Sequence, residues 1–311
     1  MPPLISLQVA VGVVKNPSGQ ILISLRDDKL HQGGLWEFPG GKVEAGETVR
    51  QALARELKEE LDITVHAALP LITINYQYPD LAVQLSVFTV DSYGGEVKGY
   101  EGQPFLWANP NELVNYAFPA ANRPIITAVR LPSYYAILDD TDPTRLMTNL
   151  DSILNNGIKL IQARLKTLSA GAVKSFLEQA YPLCKTHKAS LLVNSSSKQT
   201  EGCEIDGLHL TSADLLACRQ RPGDKQWIGA SCHNREELRH AEKVGVDFVV
   251  LAPVLSTPTH PDAKVLGWAC FTELAAQTNL PVYALGGLSQ VDVLVAQEAG
   301  AQGIAGIRAF L

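Results

Sequence analysis

The sequence contains no apolar run approaching the roughly 18–20 residues that a bilayer-spanning helix requires. It also lacks a basic leader: the opening stretch MPPLISLQVAVGVVKN has no charged side chain before Lys15 and alternates as a strand does. Cysteine is scarce. The five residues Cys184, Cys203, Cys218, Cys232 and Cys270 all fall in the second half, odd in number and unpaired in motif. That excludes a disulfide framework and a zinc pattern, and a reduced cytoplasmic compartment is expected. Positive charge is not in surplus either, with 26 Lys+Arg against 32 Asp+Glu and a formal net charge of −6. A polymeric nucleic acid is therefore not an expected partner, nor is a membrane. A single nucleotide bringing its own metal ion remains open.

What is present is core-forming material: 46% of the 311 residues are hydrophobic and 19% charged. That length suits two domains, and residues 1–131 and 132–311 follow different patterns. In the first, Leu7 to Val14 and Ile21 to Leu25, separated by Asn16-Pro17-Ser18-Gly19, read as a hairpin with a long loop. A glycine turn, Pro39-Gly40-Gly41, precedes a helix from about Thr48 to Glu60, with Thr48 as N-cap and Val49, Ala52, Leu53, Leu57 and Leu61 as its apolar stripe. Strand patterns at 69–78, 82–92 and 104–108 and a helix at about 121–130 complete a mixed α/β layer fold. From Tyr134 onward, eight short apolar strands alternate with helical stretches: YYAIL, KLIQAR, SLLVN, GLHL, WIGASC, DFVVLAPV, PVYALGG and GIAGIR. Continuous β-branched runs of this kind suit parallel strands covered on both faces, and their number predicts a compact (β/α)8 TIM barrel.

The segment from Gly41 to Ile63 carries the most chemistry. On a helix, Glu56, Glu59 and Glu60 lie on neighbouring positions one turn apart, where like charges repel. Placing them beside a glycine turn makes sense if a hard divalent cation, Mg²⁺ or Mn²⁺, neutralises them and bridges to substrate phosphates. A merely solvated acidic helix face is the alternative reading.

Gly41, Glu47, Arg55-Glu56-Leu57, Glu59-Glu60 and Ile63 match the Nudix box at every defined position except one, where Asp62 replaces a glycine. Asp tolerates left-handed backbone better than most residues, so the departure concerns the turn rather than the cation. LWEFPGG, VAVGVV, YEGQPFLW and FPAANRP extend the resemblance to the MutT branch, whose members hydrolyse oxidised guanine nucleoside triphosphates and so sanitise the nucleotide pool. The resemblance implies a Nudix α/β/α sandwich and ligation of the cation by the Gly40 carbonyl, Glu56, Glu59, Glu60 and Glu101. It also implies that Glu47 and Arg55 orient the site, and that Arg26, His31, Phe38 and Asn122 line the nucleotide pocket. An Asn amide offers donor and acceptor together, which suits a purine edge.

QARLK (162–166), DGLHLTSADL (206–215), IGASCH (228–233), APVLSTPTH (252–260), ALGGL (284–288) and GAQGIAGIRAF (300–310) resemble the thiamine phosphate synthase/TenI family. Gly286, Gly287 and Gly306 then suit a phosphate cradle, and Gln162, Arg164 and Lys166 line the mouth. Two departures matter: Asn194-Ser195 stands where the synthases carry Asn-Asp, and His260 where they carry Lys. Losing a carboxylate and a cation weakens the case for pyrophosphate displacement. TenI-like proteins instead tautomerise a thiazole phosphate, and His233 would be their proton carrier. Asp214 remains as a second carboxylate. Cys232, one step from His233 on a strand, faces the other way and is read as core. The barrel is thus expected to take a thiazole phosphate or thiamine-related ligand, or to serve as a phosphate sensor or scaffold.

Overall fold

A computed structural model describes residues 6–29, 32–99, 102–197, 200–257 and 264–311. The chain divides into two compact units, the first ending at Arg130 and the second beginning at Leu131.

In the first unit, strands β1 (Ser6–Val14), β2 (Ile21–Leu25), β3 (Trp36–Glu37) and β4 (Gly40–Lys42) precede helix α1 (Val49–Leu61). Strands β5 (Thr64–Gln77), β6 (Ala82–Gly94) and β7 (Phe105–Ala108) and helix α2 (Arg123–Arg130) follow. A four-stranded mixed sheet runs β4-β1-β6-β5, and a second sheet runs β3-β2-β7. The predicted β1–β2 hairpin does not form. One bridge joins Lys15 to Ile21, after which the strands diverge into different sheets. The reason lies in β1, which is paired to β4 on one edge and in parallel to β6 on the other, leaving no edge for β2.

Alternation along β1 separates two cores, because successive side chains point to opposite faces. Ala10 and Val14 pack with Leu53, Leu57 and Leu61 of α1, whereas Val11 and Val13 pack with Ile125 and Ala128 of α2. The helices thereby sandwich the sheets, as predicted.

The second unit is a closed parallel barrel. Its strands are β8 (Tyr134–Asp139), β9 (Leu160–Arg164), β10 (Ser190–Asn194), β11 (Gly207–Leu210), β12 (Trp227–Cys232), β13 (Phe248–Leu251), β14 (Val282–Leu285) and β15 (Gly303–Gly306). Helices α3 (Leu146–Asn155), α4 (Ala170–Thr186), α5 (Ser212–Ala217), α6 (Arg235–Val244), α7 (Gly267–Ala275) and α8 (Val293–Glu298) join most of them. Among the described residues, no helix joins β10 to β11. That link, SSSKQTEGCEID, is polar and lacks the apolar stripe that would dock one.

The barrel interior is filled rather than hollow. Tyr135, Phe248 and Tyr283 meet ring to ring at 5.3–5.5 Å. A Cβ at Gly229 would stand 2.6 Å from the Phe248 ring and 2.9 Å from His209 Nδ1, so this strand position must be glycine for both to fit. Cys232 is buried in the core around the barrel, and burial pushes its thiol up to about 12. Among the described residues, no helix is long and apolar enough to cross a membrane.

Candidate functional site

Helix α1 begins with a capping box. Gln51 N–H donates to Thr48 Oγ1 at 3.3 Å, and Thr48 N–H donates to Gln51 Oε1 at 2.8 Å. The buried Ala52, Leu53, Leu57 and Leu61 dock one face of α1, and the helical period then turns Arg55, Glu56, Glu59 and Glu60 away from that core. The C-terminal end closes on Asp62 at φ 57° and ψ 25°, the left-handed geometry expected of the residue replacing glycine.

Glycine is required where the loop meets this helix. A Cβ on Gly41 would lie 2.2 Å from the Glu56 carboxyl carbon, and one on Gly40, at φ +144°, would lie 2.1 Å from the Ala10 carbonyl oxygen. The Gly40 N–H donates to Glu60 Oε2 at 3.1 Å. Carboxylates are therefore packed onto bare backbone, a cradle that any side chain would fill.

Arg55 organises the rest. Its Nη2 donates to Glu47 Oε1 at 2.7 Å and to the Lys42 carbonyl at 3.0 Å. Its Nη1 donates to Glu56 Oε1 at 2.9 Å and to Glu59 Oε2 at 3.2 Å. The hydrogen bond from Arg55, then that from the Glu44 N–H, holds the Glu47 carboxyl below its ordinary range. Bonds to Glu47 and Glu56 push the guanidinium further up. Among the described residues no three His, Cys, Asp or Glu side chains converge tightly enough to enclose an ion. Arg55 engages Glu56 and Glu59 with its planar fork, and Glu60 accepts from the Gly40 amide. The donor set is hard oxygen throughout and fits Mg²⁺ or Mn²⁺.

Of the residues expected to line a nucleotide pocket, Arg26 pairs with Glu37. Burial pushes the Glu37 carboxyl up, and Arg26 draws it back. Phe38 is buried and stacks on Phe118 at 5.3 Å, so it forms wall by packing rather than an open platform. Asn122 ends a 3₁₀ turn (Ala120–Asn122) just before α2 and does not cap it. Its half-buried amide has no hydrogen-bond partner among the described residues. His31 and Glu101 lie outside the described residues.

In the barrel, the predicted residues come together. Gln162, Arg164, Lys166, His233, Thr257 and Gly286 border a cavity of about 480 Å³ at the C-terminal ends of the strands. A smaller cavity of about 300 Å³ is bordered by Gly286, Gly287, Gly306 and Arg308. At φ +111° and +68°, Gly286 and Gly287 adopt backbone that favours glycine, and a Cβ on Gly287 would meet the Ser256 carbonyl at 2.5 Å. His233 Nδ1 lies 2.8 Å from the Ala252 carbonyl oxygen. A carbonyl can only accept, so Nδ1 carries a proton and any proton exchange falls to Nε2.

Ser195 does more than vacate the family's carboxylate position: its hydroxyl, with that of Thr211, donates to Asp214 Oδ2. These bonds hold the Asp214 carboxyl below its ordinary range. Sequence reasoning passed over Tyr135, His209 and Ser231, which form a buried polar chain beneath the cavity. The available signal was polarity itself, since an inward-facing His on a strand as apolar as GLHL must have a partner.

Profiles of two families match the chain: the NUDIX domain at residues 10–128 and thiamine monophosphate synthase at residues 134–310. An 8-oxo-dGTP diphosphatase of Escherichia coli is 40% identical over 124 residues, 40% of this chain and 96% of that protein. A candidate thiamine-phosphate synthase 2 of Aquifex aeolicus is 34% identical over 185 residues, 59% of this chain and all of that protein. A thiamine-phosphate synthase of Methylobacillus flagellatus is 32% identical over 180 residues, 57% of this chain and 86% of that protein.

Proposed function

The chain belongs to the Nudix hydrolases through its first unit and to the thiamine monophosphate synthase family through its second, and on that premise we propose a MutT-type pyrophosphohydrolase fused to a TenI-like barrel. The hydrolase domain runs to Arg130 and the barrel domain begins at Leu131. The first hydrolyses 8-oxo-dGTP to 8-oxo-dGMP and pyrophosphate. The observation that carries this reading is the Arg55 clamp, which gathers Glu47, Glu56 and Glu59 beside the Gly40-Gly41 cradle.

Glu56, Glu59, Glu60 and the Gly40 carbonyl would hold the divalent ion, with Glu101 joining them. When bound, such an ion polarises phosphoryl oxygens and acidifies water. Arg55 keeps the carboxylates aligned, and one glutamate accepts the proton of the attacking water. Asn122, with no partner among the described residues, supplies donor and acceptor to the purine edge. A base that satisfies both is preferred, because a buried polar group left unpaired costs about 1–3 kcal/mol.

The barrel binds a thiazole phosphate. Backbone N–H groups at Gly286, Gly287 and Gly306 take the phosphate, Lys166 and Arg164 add positive charge, and His233 Nε2 moves the proton. Ser195 brings no carboxylate of its own and its hydroxyl occupies one Asp214 oxygen, which favours this over pyrophosphate displacement.

Pyrophosphate release with Mg²⁺ should be compared for 8-oxo-dGTP, dGTP and hydroxymethylpyrimidine pyrophosphate, with Glu56→Gln as control. A clear preference for the third substrate would reassign the hydrolase to the chemistry of its barrel partner. Thiazole phosphate tautomerisation that survives His233→Ala would remove the proton carrier, and its absence in the wild type would leave the barrel a sensor or scaffold.

A further inference from the structure

Beneath the larger barrel cavity, five side chains from five strands form one buried hydrogen-bonded chain. Asn194 Nδ2 donates to Gln162 Oε1 at 2.9 Å, and Gln162 Nε2 donates to Tyr135 Oη at 3.0 Å. Tyr135 Oη lies 3.0 Å from His209 Nδ1, and His209 Nε2 lies 3.0 Å from Ser231 Oγ. Tyr135 is wholly buried and His209 is 1% exposed, so both are shut off from bulk solvent.

One backbone amide sets the direction of every bond in the chain. The Ser196 N–H, which can only donate, lies 3.1 Å from Asn194 Oδ1. The atom facing it must be oxygen, so the Asn194 NH₂ faces Gln162, whose oxygen accepts and whose NH₂ faces Tyr135. The tyrosine oxygen therefore receives a proton from Gln162, and its own hydrogen has one remaining acceptor among the described residues, His209 Nδ1. Reversing that bond would strand a buried hydroxyl hydrogen. An accepting Nδ1 puts the imidazole proton on Nε2, which donates to Ser231 Oγ. The Ser231 hydrogen is then left for the cavity that Ser231 borders.

We propose that Tyr135 and His209 are positioning residues: Tyr135 locks His209 in its Nε2–H tautomer, and His209 turns the Ser231 hydrogen toward the cavity, so the cavity favours a ligand with an acceptor atom facing Ser231. A phosphate or carboxylate oxygen or an unprotonated ring nitrogen pairs that hydrogen, whereas a group offering only N–H there leaves it unpaired. Burial, and next the charge of Arg164, hold His209 down to about 3, in keeping with a neutral ring. The ligand preference rests on the phosphate-site reading of the barrel, whereas the tautomer stands without it.

Nitrogen NMR on the full chain with ring-labelled histidine, His209 being assigned with His209→Gln, reads the tautomer directly. At neutral pH the wild type shows a protonated Nε2 and a bare Nδ1. A protonated Nδ1 on His209 would overturn the proposal without any variant being made. Tyr135→Phe removes the donor to Nδ1, so the signal moves toward the Nδ1–H form and Ser231 turns its hydrogen back to the ring. Calorimetry with thiazole phosphate should then find Tyr135→Phe and Ser231→Ala each weakening binding about tenfold, and the double variant no more than either. Independent, additive losses would also overturn the proposal. Failure of the wild type to bind thiazole phosphate would count against the ligand reading alone, since the tautomer is decided by the spectrum.

Discussion

Gly41 and Glu56 occupy the same space: the position a Cβ on Gly41 would take lies 2.2 Å from the Glu56 carboxyl carbon. A glycine in the loop and a glutamate on the helix are thus one feature. Gly41→Ala should displace the carboxylate by an ångström or more. A misplacement of that size costs on the order of 100-fold in rate. Steady-state pyrophosphate release measures the loss, and a circular-dichroism melt of the same sample should show the fold retained.

Arg55→Lys keeps the charge and loses the fork. A lysine ammonium cannot serve Glu47, Glu56, Glu59 and the Lys42 carbonyl at once. Mn²⁺ affinity, followed by its paramagnetic signal, should fall by about 10–100-fold, as for other residues that orient ligands. An unchanged titration would remove Arg55 from the site.

Asp62→Gly should stabilise the first unit. The left-handed backbone at φ 57° strains any side chain, although the pairing of Asp62 with Lys58 offsets part of that cost. Glycine relieves the strain but loses more chain entropy, leaving a net gain of about 0.5 kcal/mol. Thermal unfolding should shift upward by about 1–2 °C, with hydrolysis unchanged. Asp62→Val should shift it down.

His209 makes the barrel acid-sensitive. The folded ring stays neutral down to about 3, against 6.5 for an ordinary histidine. Below 6.5 the unfolded chain therefore binds a proton that the folded chain refuses, and stability falls as pH falls. The slope is about 1.4 kcal/mol per pH unit between those two values. Urea unfolding of the barrel at stepped pH should show this dependence, reduced in His209→Gln.

Gly286→Ala should close the smaller barrel cavity. At φ +111° the new methyl would stand 2.9 Å from Pro253 Cβ, so the loop after β14 must move. Thiazole phosphate binding should weaken at least about tenfold. Pyrophosphate release by the first unit should be unaffected.

The Nudix helix was legible because its evidence is local: a capping residue, an apolar stripe and three glutamates lie within a few turns of one another. The barrel strands were legible for a related reason. Each is buried on both faces, so its whole run reads as apolar. The first-unit sheets were not. Nothing in Leu7–Val14 says that both its edges will be taken by Lys42-side and Ala82-side strands, and proximity in sequence wrongly favoured Ile21–Leu25 as its partner. Strand β5 begins earlier than expected, at Thr64, since exposed residues and the register shifts around Pro70 break the alternation that would announce it.

The sequence by itself determined two families, the glutamate–glycine constellation and the eight-strand pattern, since each depends on residue type at short spacing. The tertiary structure decided which groups share protons. Arg55 reaching from helix α1 back to Glu47 in the preceding loop is a relation within the first unit, and Ser196 orienting Asn194, Gln162, Tyr135, His209 and finally Ser231 is a relation among strands brought together by barrel closure. Hydrogen bonds have direction, and direction exists only once donor and acceptor face each other in space.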